Sequence, residues 1–226
     1  MSWEEDQVEE LGGWGHGETE GEEMKQLVYA KRMGLFSFAE WDADKADYKP
    51  TWGSKKGVFK NGTPYPIFNL GGRSVLDIGG GGTSLLLKCR NVRGTLADPL
   101  PFPDWIVERY AIAGIEYRRL KGEDVSGFDV DEVWVYNVLE HTENPEKIVA
   151  NALESGKLVR FFDWIDTEIS PGHSHIQTEA LLNKWLGGVG KVEEIKEFYG
   201  GVRCVEGSDE GIAIGRCYSG VFKGRR

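Results

Sequence analysis

A glycine-rich run directly after a short apolar segment is the feature that most constrains the fold of this chain. The run reads Ser74-Val-Leu-Asp-Ile-Gly-Gly-Gly-Gly-Thr83, with Asp77 shortly before four consecutive glycines. In a parallel α/β sheet, a glycine-rich turn at the carboxyl end of a strand lets the backbone approach a ligand closely. The run therefore predicts an α/β protein that binds a nucleotide cofactor.

From Arg73 onward, short apolar segments alternate with helical patterns, which is typical of βαβ units that build a parallel sheet covered by helices. Asn144-Pro145 supports one of these helices, since Asn caps helices and Pro favours their first turn. The last two predicted strands have no helix-length segment between them, so they should pair antiparallel. The predicted strands are 74–78, 93–97, 115–120, 131–137, 157–163, 191–199 and 211–222, and the predicted helices are 83–90, 103–113, 144–154 and 177–186.

The first 72 residues differ in character from the rest. Their first part is rich in Gly, Glu and Trp, which predicts a mobile arm. Apolar residues at helical spacing then predict an amphipathic helix over 22–33 with Gly34 as its C-cap. An aromatic-rich segment follows and includes the hairpin-like Lys60-Asn-Gly-Thr63. We therefore expect an acidic arm (1–22), a helical and aromatic cap (23–72) and a cofactor-binding domain (73–226).

Composition narrows the class of protein. A chain of 226 residues can bury one sizeable core with a small appendage. No stretch approaches the roughly 18 apolar residues of a membrane span, and the N-terminus lacks the pattern of a signal peptide, so we expect a cytoplasmic protein without membrane association. Residues 1–23 hold nine of the 37 acidic residues and no Lys or Arg. The remaining chain is nearly neutral, which neither supports nor excludes a polyanionic substrate.

Two classes of cofactor use a loop of this kind. A dinucleotide fingerprint requires G-x-G-x-x-G. If this fingerprint began at Gly79 or Gly80, its third glycine would fall at Ser84 or Leu85, so the match is incomplete. The glycine run alone does not decide between the cofactors.

Acidic residues follow the next two predicted strands. Asp98 lies 21 residues after Asp77. At that strand end an acid can accept hydrogen bonds from both ribose hydroxyls, although a cap for the helix after Pro99 is an alternative. Glu123 and Asp124 are placed to accept from an adenine amino group, or else form a solvated turn.

In order and spacing, four motifs resemble those of class I S-adenosylmethionine-dependent methyltransferases. They are Asp77-Ile-Gly-Gly-Gly-Gly82, Asp98, Glu123-Asp124 and Tyr136-Asn-Val-Leu-Glu-His141, and the resemblance covers residues 73 to about 222. It implies a Rossmann-like seven-stranded sheet with a reversed last hairpin, helices on both faces and S-adenosyl-L-methionine as cofactor. Glu22–Leu35 and Phe162–Asp166 further resemble methyltransferase-like proteins of tailed bacteriophages.

The resemblance also implies roles for individual residues. The alternating glycines of the family are replaced here by an unbroken run followed by Thr83, which leaves the individual glycine contacts open. The implied cofactor site consists of Asp77, Gly79 and Gly81 at the methionine end, Asp98 at the ribose and Glu123 or Asp124 with Val125 at the adenine, together with Gly80, Pro99 and Asn137.

Three of the four histidines follow predicted strands at the same edge of the sheet and are the candidate catalytic residues. They are His141, His173 and His175. With an ordinary pKa near 6.5, a histidine can act as a general base at neutral pH. Capping or loop-structuring roles are alternatives. A metal site of His173 and His175 with Asp163 or Asp166 has suitable residue types but no diagnostic spacing, so we expect no metal.

Absent motifs narrow the methyl acceptor. Enzymes that methylate DNA amino groups carry Asp/Asn-Pro-Pro-Tyr/Phe where this chain has Tyr136-Asn-Val-Leu, and no cysteine follows a proline. Base methylation of duplex DNA is therefore disfavoured. The favoured function is a methyltransferase for a small molecule or a modified nucleotide or sugar, acting in the host cytoplasm if phage-encoded. A non-catalytic cofactor-binding accessory protein and a nicotinamide-dependent oxidoreductase are the alternatives.

Overall fold

A computed structural model describes residues 20–42, 65–170, 173–198 and 212–225. Most of the predicted acidic arm and all of Lys60-Asn-Gly-Thr63 lie outside these residues. The helices are α1 (Glu20–Arg32), α2 (Asp104–Ile112), α3 (Pro145–Ser155) and α4 (Glu179–Leu186). The strands are β1 (Ala39–Asp42), β2 (Tyr65–Ile78), β3 (Cys89–Asp98), β4 (Glu116–Arg119), β5 (Val130–Tyr136), β6 (Gly156–Ile165), β7 (Lys191–Phe198) and β8 (Ile212–Lys223).

The described strands form one sheet in the order β4-β3-β2-β5-β6-β8-β7, and β1 pairs antiparallel with the first residues of β2. Strands β2 to β6 run parallel, whereas β8 runs antiparallel to both β6 and β7. The predicted Rossmann-like seven-stranded α/β sheet with a reversed last hairpin is thereby confirmed. The additional strand β1 was not predicted.

Both faces of the sheet are covered, which explains why its central strands read as continuous apolar runs. Trp134 and Tyr136 of β5 face one core, which includes residues of α1 and α2. Val133 and Val135 face the other core, which includes residues of α3 and α4. No helix among the described residues is long and apolar enough to cross a membrane.

The helices begin and end where their local sequence dictates. Asn144 accepts a hydrogen bond from the amide of Lys147 and precedes Pro145 at the start of α3, as predicted. Gly34, the predicted C-cap of the first helix, lies two residues beyond α1 and has a left-handed φ of 74°. The predicted helices 103–113, 144–154 and 177–186 match α2, α3 and α4 to within two residues at each end.

The predicted helix 83–90 is wrong. Two 3-10 turns, Gly81–Thr83 and Leu85–Lys88, occupy this connection, and β3 already begins at Cys89. The hydroxyls of Tyr110 and Tyr136 accept hydrogen bonds from the amides of Ser84 and Leu85. These buried partners replace the hydrogen bonds that a helix would provide. Strand β2 is also longer than predicted, so the expected boundary between cap and domain at residues 72 and 73 falls within it.

A buried ion pair fastens the N-terminal helix to the sheet. Arg160 of β6 donates from Nε to Oε2 of Glu132 at 2.7 Å and from Nη1 to the carbonyl of Met33 at 2.8 Å. Trp134 Nε1 also donates to the Glu132 carboxylate. Because Arg160 and Glu132 are 6% and 1% exposed, neither charge is compensated by water.

Replacing Arg160 by Met should lower the free energy of unfolding by about 3–5 kcal/mol, because it leaves the buried Glu132 carboxylate with only the more distant Arg73, whose Nε is 3.7 Å away, as a cationic partner. Urea denaturation measures this change. Lys157→Met is the control, since Lys157 makes a surface pair with Asp131. It should change the unfolding midpoint little. Equal losses from the two variants would contradict the role assigned to the buried pair.

Candidate active site

The carboxyl ends of three parallel strands meet where the strand order reverses. Ile78 at the end of β2 pairs with Ala97 of β3 on one side and with Val135 of β5 on the other. In open α/β sheets, ligands bind in the crevice beyond such a reversal. The structure therefore brings together the predicted cofactor residues that end these strands or directly follow them: Gly79, Asp98, Pro99 and Asn137.

Asp77 is a fully buried anchor beneath the glycine loop. Its Oδ2 accepts hydrogen bonds from Ser84 Oγ at 2.5 Å and from the Tyr136 hydroxyl at 2.9 Å. Its Oδ1 has no hydrogen-bond partner among the described residues. Burial raises the pKa of Asp77 from 3.8 to about 7, and the two hydroxyl donors lower it in part. Asp77 thus fixes the loop to its own strand and to β5.

The loop itself is held by side chains from several elements. The Tyr110 hydroxyl of α2 donates to the carbonyl of Gly81 at 2.5 Å. Arg109 donates to the carbonyl of Gly82 at 3.3 Å, and Gln26 of α1 donates to the carbonyl of Thr83. Helices on one face of the sheet therefore determine the shape of the loop.

Asp98 joins the loop to the end of β3. Its Oδ2 accepts from the amide of Gly81 and its Oδ1 from the amide of Leu100, each at 3.0 Å. Burial raises the pKa of Asp98 from 3.8 to about 6, although both amides lower it. The alternative role of Asp98 as a helix cap is not observed, because α2 begins only at Asp104 and has no side-chain cap.

The glycines of the run meet different surroundings. A Cβ on Gly79, whose φ is 73°, would come within 2.2 Å of Val138 Cγ2. A Cβ on Gly80 would come within 2.2 Å of Asp77 Oδ2. At Gly81, with a φ of 64°, a Cβ would meet no described atom within 4 Å. Close packing thus requires Gly79 and Gly80, whereas Gly81 borders open space.

The predicted adenine residues lie in a 3-10 turn at Gly122–Asp124. Glu123 Oε1 accepts hydrogen bonds from the amides of Glu143 and Asn144, so it holds the segment before α3. Asp124 is exposed, and its Oδ1 lies 3.8 Å from Lys147 Nζ. Val125 is buried. Asp124 is therefore the more accessible of the two acids.

Two of the three candidate catalytic histidines come together. The ring centroids of His141 and His173 are 4.7 Å apart, and Nε2 of each ring faces Oε1 of Glu140, at 3.5 Å and 3.9 Å. The loop that carries His173 is fixed here because the amide of Ser174 donates to the carbonyl of Glu140 at 2.9 Å. His175 is not part of this group within the described residues.

Glu140 is a buried acid that the sequence prediction missed, although it lies inside the quoted motif. Burial and the neighbouring carboxyl of Asp163 raise the pKa of Glu140 well above its ordinary value. Asp163 is itself held by the amides of Leu139 and Trp164. In the sequence, the position of Glu140 next to His141 was the one signal that could have indicated a role for it.

The metal ligands considered from the sequence do not assemble as a set. Asp163 is fully buried and accepts backbone amides. The carboxylate of Asp166 pairs with Arg216. His173 and His175 lie in the same loop, but among the described residues only His173 groups with Glu140 and His141.

Comparison with known proteins identifies the fold. No family model matches the chain, and no curated protein matches it. The YcgJ protein from Bacillus subtilis has a similar structure, with a TM-score of 0.50 and 14% identity over 69% of this chain and 93% of that one. At this identity the likeness shows a shared fold.

Two other solved structures are more distant. Phosphoethanolamine N-methyltransferase 2 from Haemonchus contortus, solved with S-adenosyl-L-methionine, has a TM-score of 0.45 and 14% identity over 55% of this chain. This chain spans only 35% of that protein. DhpI in complex with SAH has a TM-score of 0.45 and 18% identity over 68% of this chain and 78% of that one.

Gly79→Ala should destabilise the chain more than Gly81→Ala. Both residues have positive φ, so each substitution carries a backbone strain of about 1–2 kcal/mol. Only the new methyl at Gly79 would collide with Val138, a β-branched side chain with little freedom to move. Urea denaturation compares the two variants, and Val138→Ala in the Gly79→Ala background should recover part of the loss. Equal losses would refute the proposed contact.

The Asp77 carboxyl should make stability fall as the pH rises. Its pKa is about 7 in the folded chain and 3.8 as the reference value, so between these values the folded state binds the extra proton. The contribution is complete below about pH 4 and is lost as the pH rises through about 7. In ligand-free protein, the unfolding free energy of the wild type should therefore fall more between about pH 5 and about pH 8 than that of Asp77→Asn. The difference should be roughly 2–3 kcal/mol.

Urea denaturation across this pH range provides the measurement. Asp104→Asn, at an exposed position at the start of α2, controls for the change in net charge. An unchanged pH dependence in Asp77→Asn would show that Asp77 does not titrate as its burial requires.

Proposed function

We propose that this chain is an S-adenosylmethionine-dependent methyltransferase that acts on a small molecule or on a modified nucleotide or sugar. The observation that carries the proposal is the glycine loop at the strand-order reversal, joined to Asp98 of the neighbouring strand by the Gly81 amide. This arrangement agrees with the order of motifs through which the sequence resembles class I methyltransferases.

The residues present fit such a cofactor. Each Asp98 oxygen accepts one amide and keeps a further lone pair for a ribose hydroxyl. No atom of the described residues lies within 4 Å of a Cβ built on Gly81, so a ligand can approach the backbone there closely. We assign the adenine to Asp124, which is exposed, together with Val125. Asp77 supports the cofactor through the loop, since its carboxylate accepts hydrogen bonds from Ser84 at the end of the loop and from Tyr136 of β5.

When bound, the cofactor supplies a methyl group on a sulfonium. The protein then has to position the acceptor and, for an ionisable acceptor, remove a proton. His141 and His173 have partly exposed side chains near the carboxyl end of β5. They are the groups that we assign to the acceptor side, whereas His175 is the weaker candidate.

Titration calorimetry tests the cofactor directly. S-adenosylmethionine and S-adenosylhomocysteine should bind and NAD should not. Asp98→Asn should weaken binding of the sulfonium cofactor by about 1–3 kcal/mol, because a hydrogen bond to a charged acceptor is lost. Asp104→Asn, with the same change in charge outside the site, should bind as the wild type does.

The alternative functions give distinct outcomes. Binding of NAD alone would favour the oxidoreductase and overturn the proposal. Transfer of a labelled methyl group into small molecules of a host extract distinguishes an enzyme from an accessory protein. Cofactor binding without label in any fraction would favour the accessory protein.

A further inference from the structure

Three potential ligand atoms converge near the carboxyl end of β5. They belong to Glu140, His141 and His173, and all lie within 4.8 Å of one another. The two histidine nitrogens are 3.5 Å and 3.9 Å from Glu140 Oε1. Both distances exceed the usual N–H···O hydrogen-bond range of about 2.7–3.2 Å.

We propose that Glu140, His141 and His173 bind a divalent transition-metal ion, with Zn²⁺ as the reference ion. Two imidazoles and one carboxylate are a common ligand set for Zn²⁺, which takes bonds of about 2.0–2.2 Å in tetrahedral geometry. Neighbouring ligand atoms around such an ion are about 3.3–3.5 Å apart. The pair Glu140–His141 already has this spacing. His173 lies 3.9 Å from Glu140 Oε1 and within 4.8 Å of His141, so its ring has to approach by roughly 1 Å.

The surroundings of Glu140 support a ligand role. Glu140 is 2% exposed, and its Oε2 has no hydrogen-bond partner in the described part of the chain. A buried carboxylate without sufficient donors requires a cation or a proton to compensate it. The carboxyls of Glu140 and Asp163 are hydrogen-bonded and share a proton, which a bound cation would displace, and the Ser174 amide donates to the backbone carbonyl of Glu140. Such outer contacts orient metal ligands.

The site is open to solvent, and its three protein ligands leave a coordination position free. The side chains of His141 and His173 are 18% and 37% exposed, so an ion can enter from solvent. Three protein ligands leave at least one position for water or substrate, as in catalytic rather than structural sites. Val138, three residues before His141, packs against Gly79 of the cofactor loop.

An ion at this position would hold an oxygen atom of the acceptor near the cofactor and lower its pKa. The inference therefore deepens the proposed function by naming an oxygen-bearing acceptor. Its metal-binding part does not depend on that function, because an ion can bind whether or not the chain transfers methyl groups.

Titration of the full-length chain with Co²⁺, followed by visible absorption, and competition with Zn²⁺ test the inference. We expect one ion per chain. His141→Ala, His173→Ala and Glu140→Gln should each weaken binding by about tenfold or more, since even outer partners of metal ligands contribute about 10–100-fold. His175→Ala, in the same loop but outside the cluster, should bind as the wild type does.

Thermal denaturation gives a second readout, because an ion that binds only the folded state raises its stability. Zn²⁺ should raise the melting temperature of the wild type and of His175→Ala but not of the three ligand variants. Absence of binding at millimolar metal, or binding retained in both His141→Ala and His173→Ala, would overturn the inference. Cofactor titration of the same samples shows separately whether the proposed function fails.

Discussion

The buried carboxylate of Asp77 is the constraint on which the site depends. An acid removed from water is tolerated only when polar partners satisfy it, and here those partners are the hydroxyls of Ser84 and Tyr136. Ser84 lies at the end of the glycine loop and Tyr136 at the end of β5, so one side chain connects the loop to two strands. Asp98 of β3 accepts from the amide of Gly81 and so connects the loop to a third strand. The ligand-facing backbone is thus fixed before any ligand binds.

The sheet could be predicted from the sequence because burial on both faces leaves a plain signal of apolar runs separated by helical patterns. The connection at 83–90 could not, although Leu85-Leu86-Leu87 suits a helix. Its backbone amides are taken by the hydroxyls of Tyr110 and Tyr136, which lie 26 and 51 residues away from them in the chain. Such tertiary partners leave no local pattern.

In the candidate site, too, the sequence predicts the proximity of some residues and not of others. Residues at or directly after the carboxyl ends of parallel strands, such as Gly79, Asp98 and Asn137, must lie at one edge of the sheet, so their proximity followed from the predicted topology. The pairing of His173 with His141 depends on how the loop after β6 folds back onto Glu140. That contact, like the burial of Glu140 against Asp163, arises from packing that spacing along the chain does not encode.

Hydrogen–deuterium exchange of the 79–84 amides, with and without S-adenosylmethionine, tests whether the glycine loop is preorganised to hold the cofactor. The amides of Gly81 and Ser84, already bonded to Asp98 and Tyr110, should exchange slowly in the free protein. Adding the cofactor should increase protection in this loop and in the turn at Gly122–Asp124. Fast exchange in the free protein, together with no change on adding the cofactor, would contradict a loop that is preorganised to hold it.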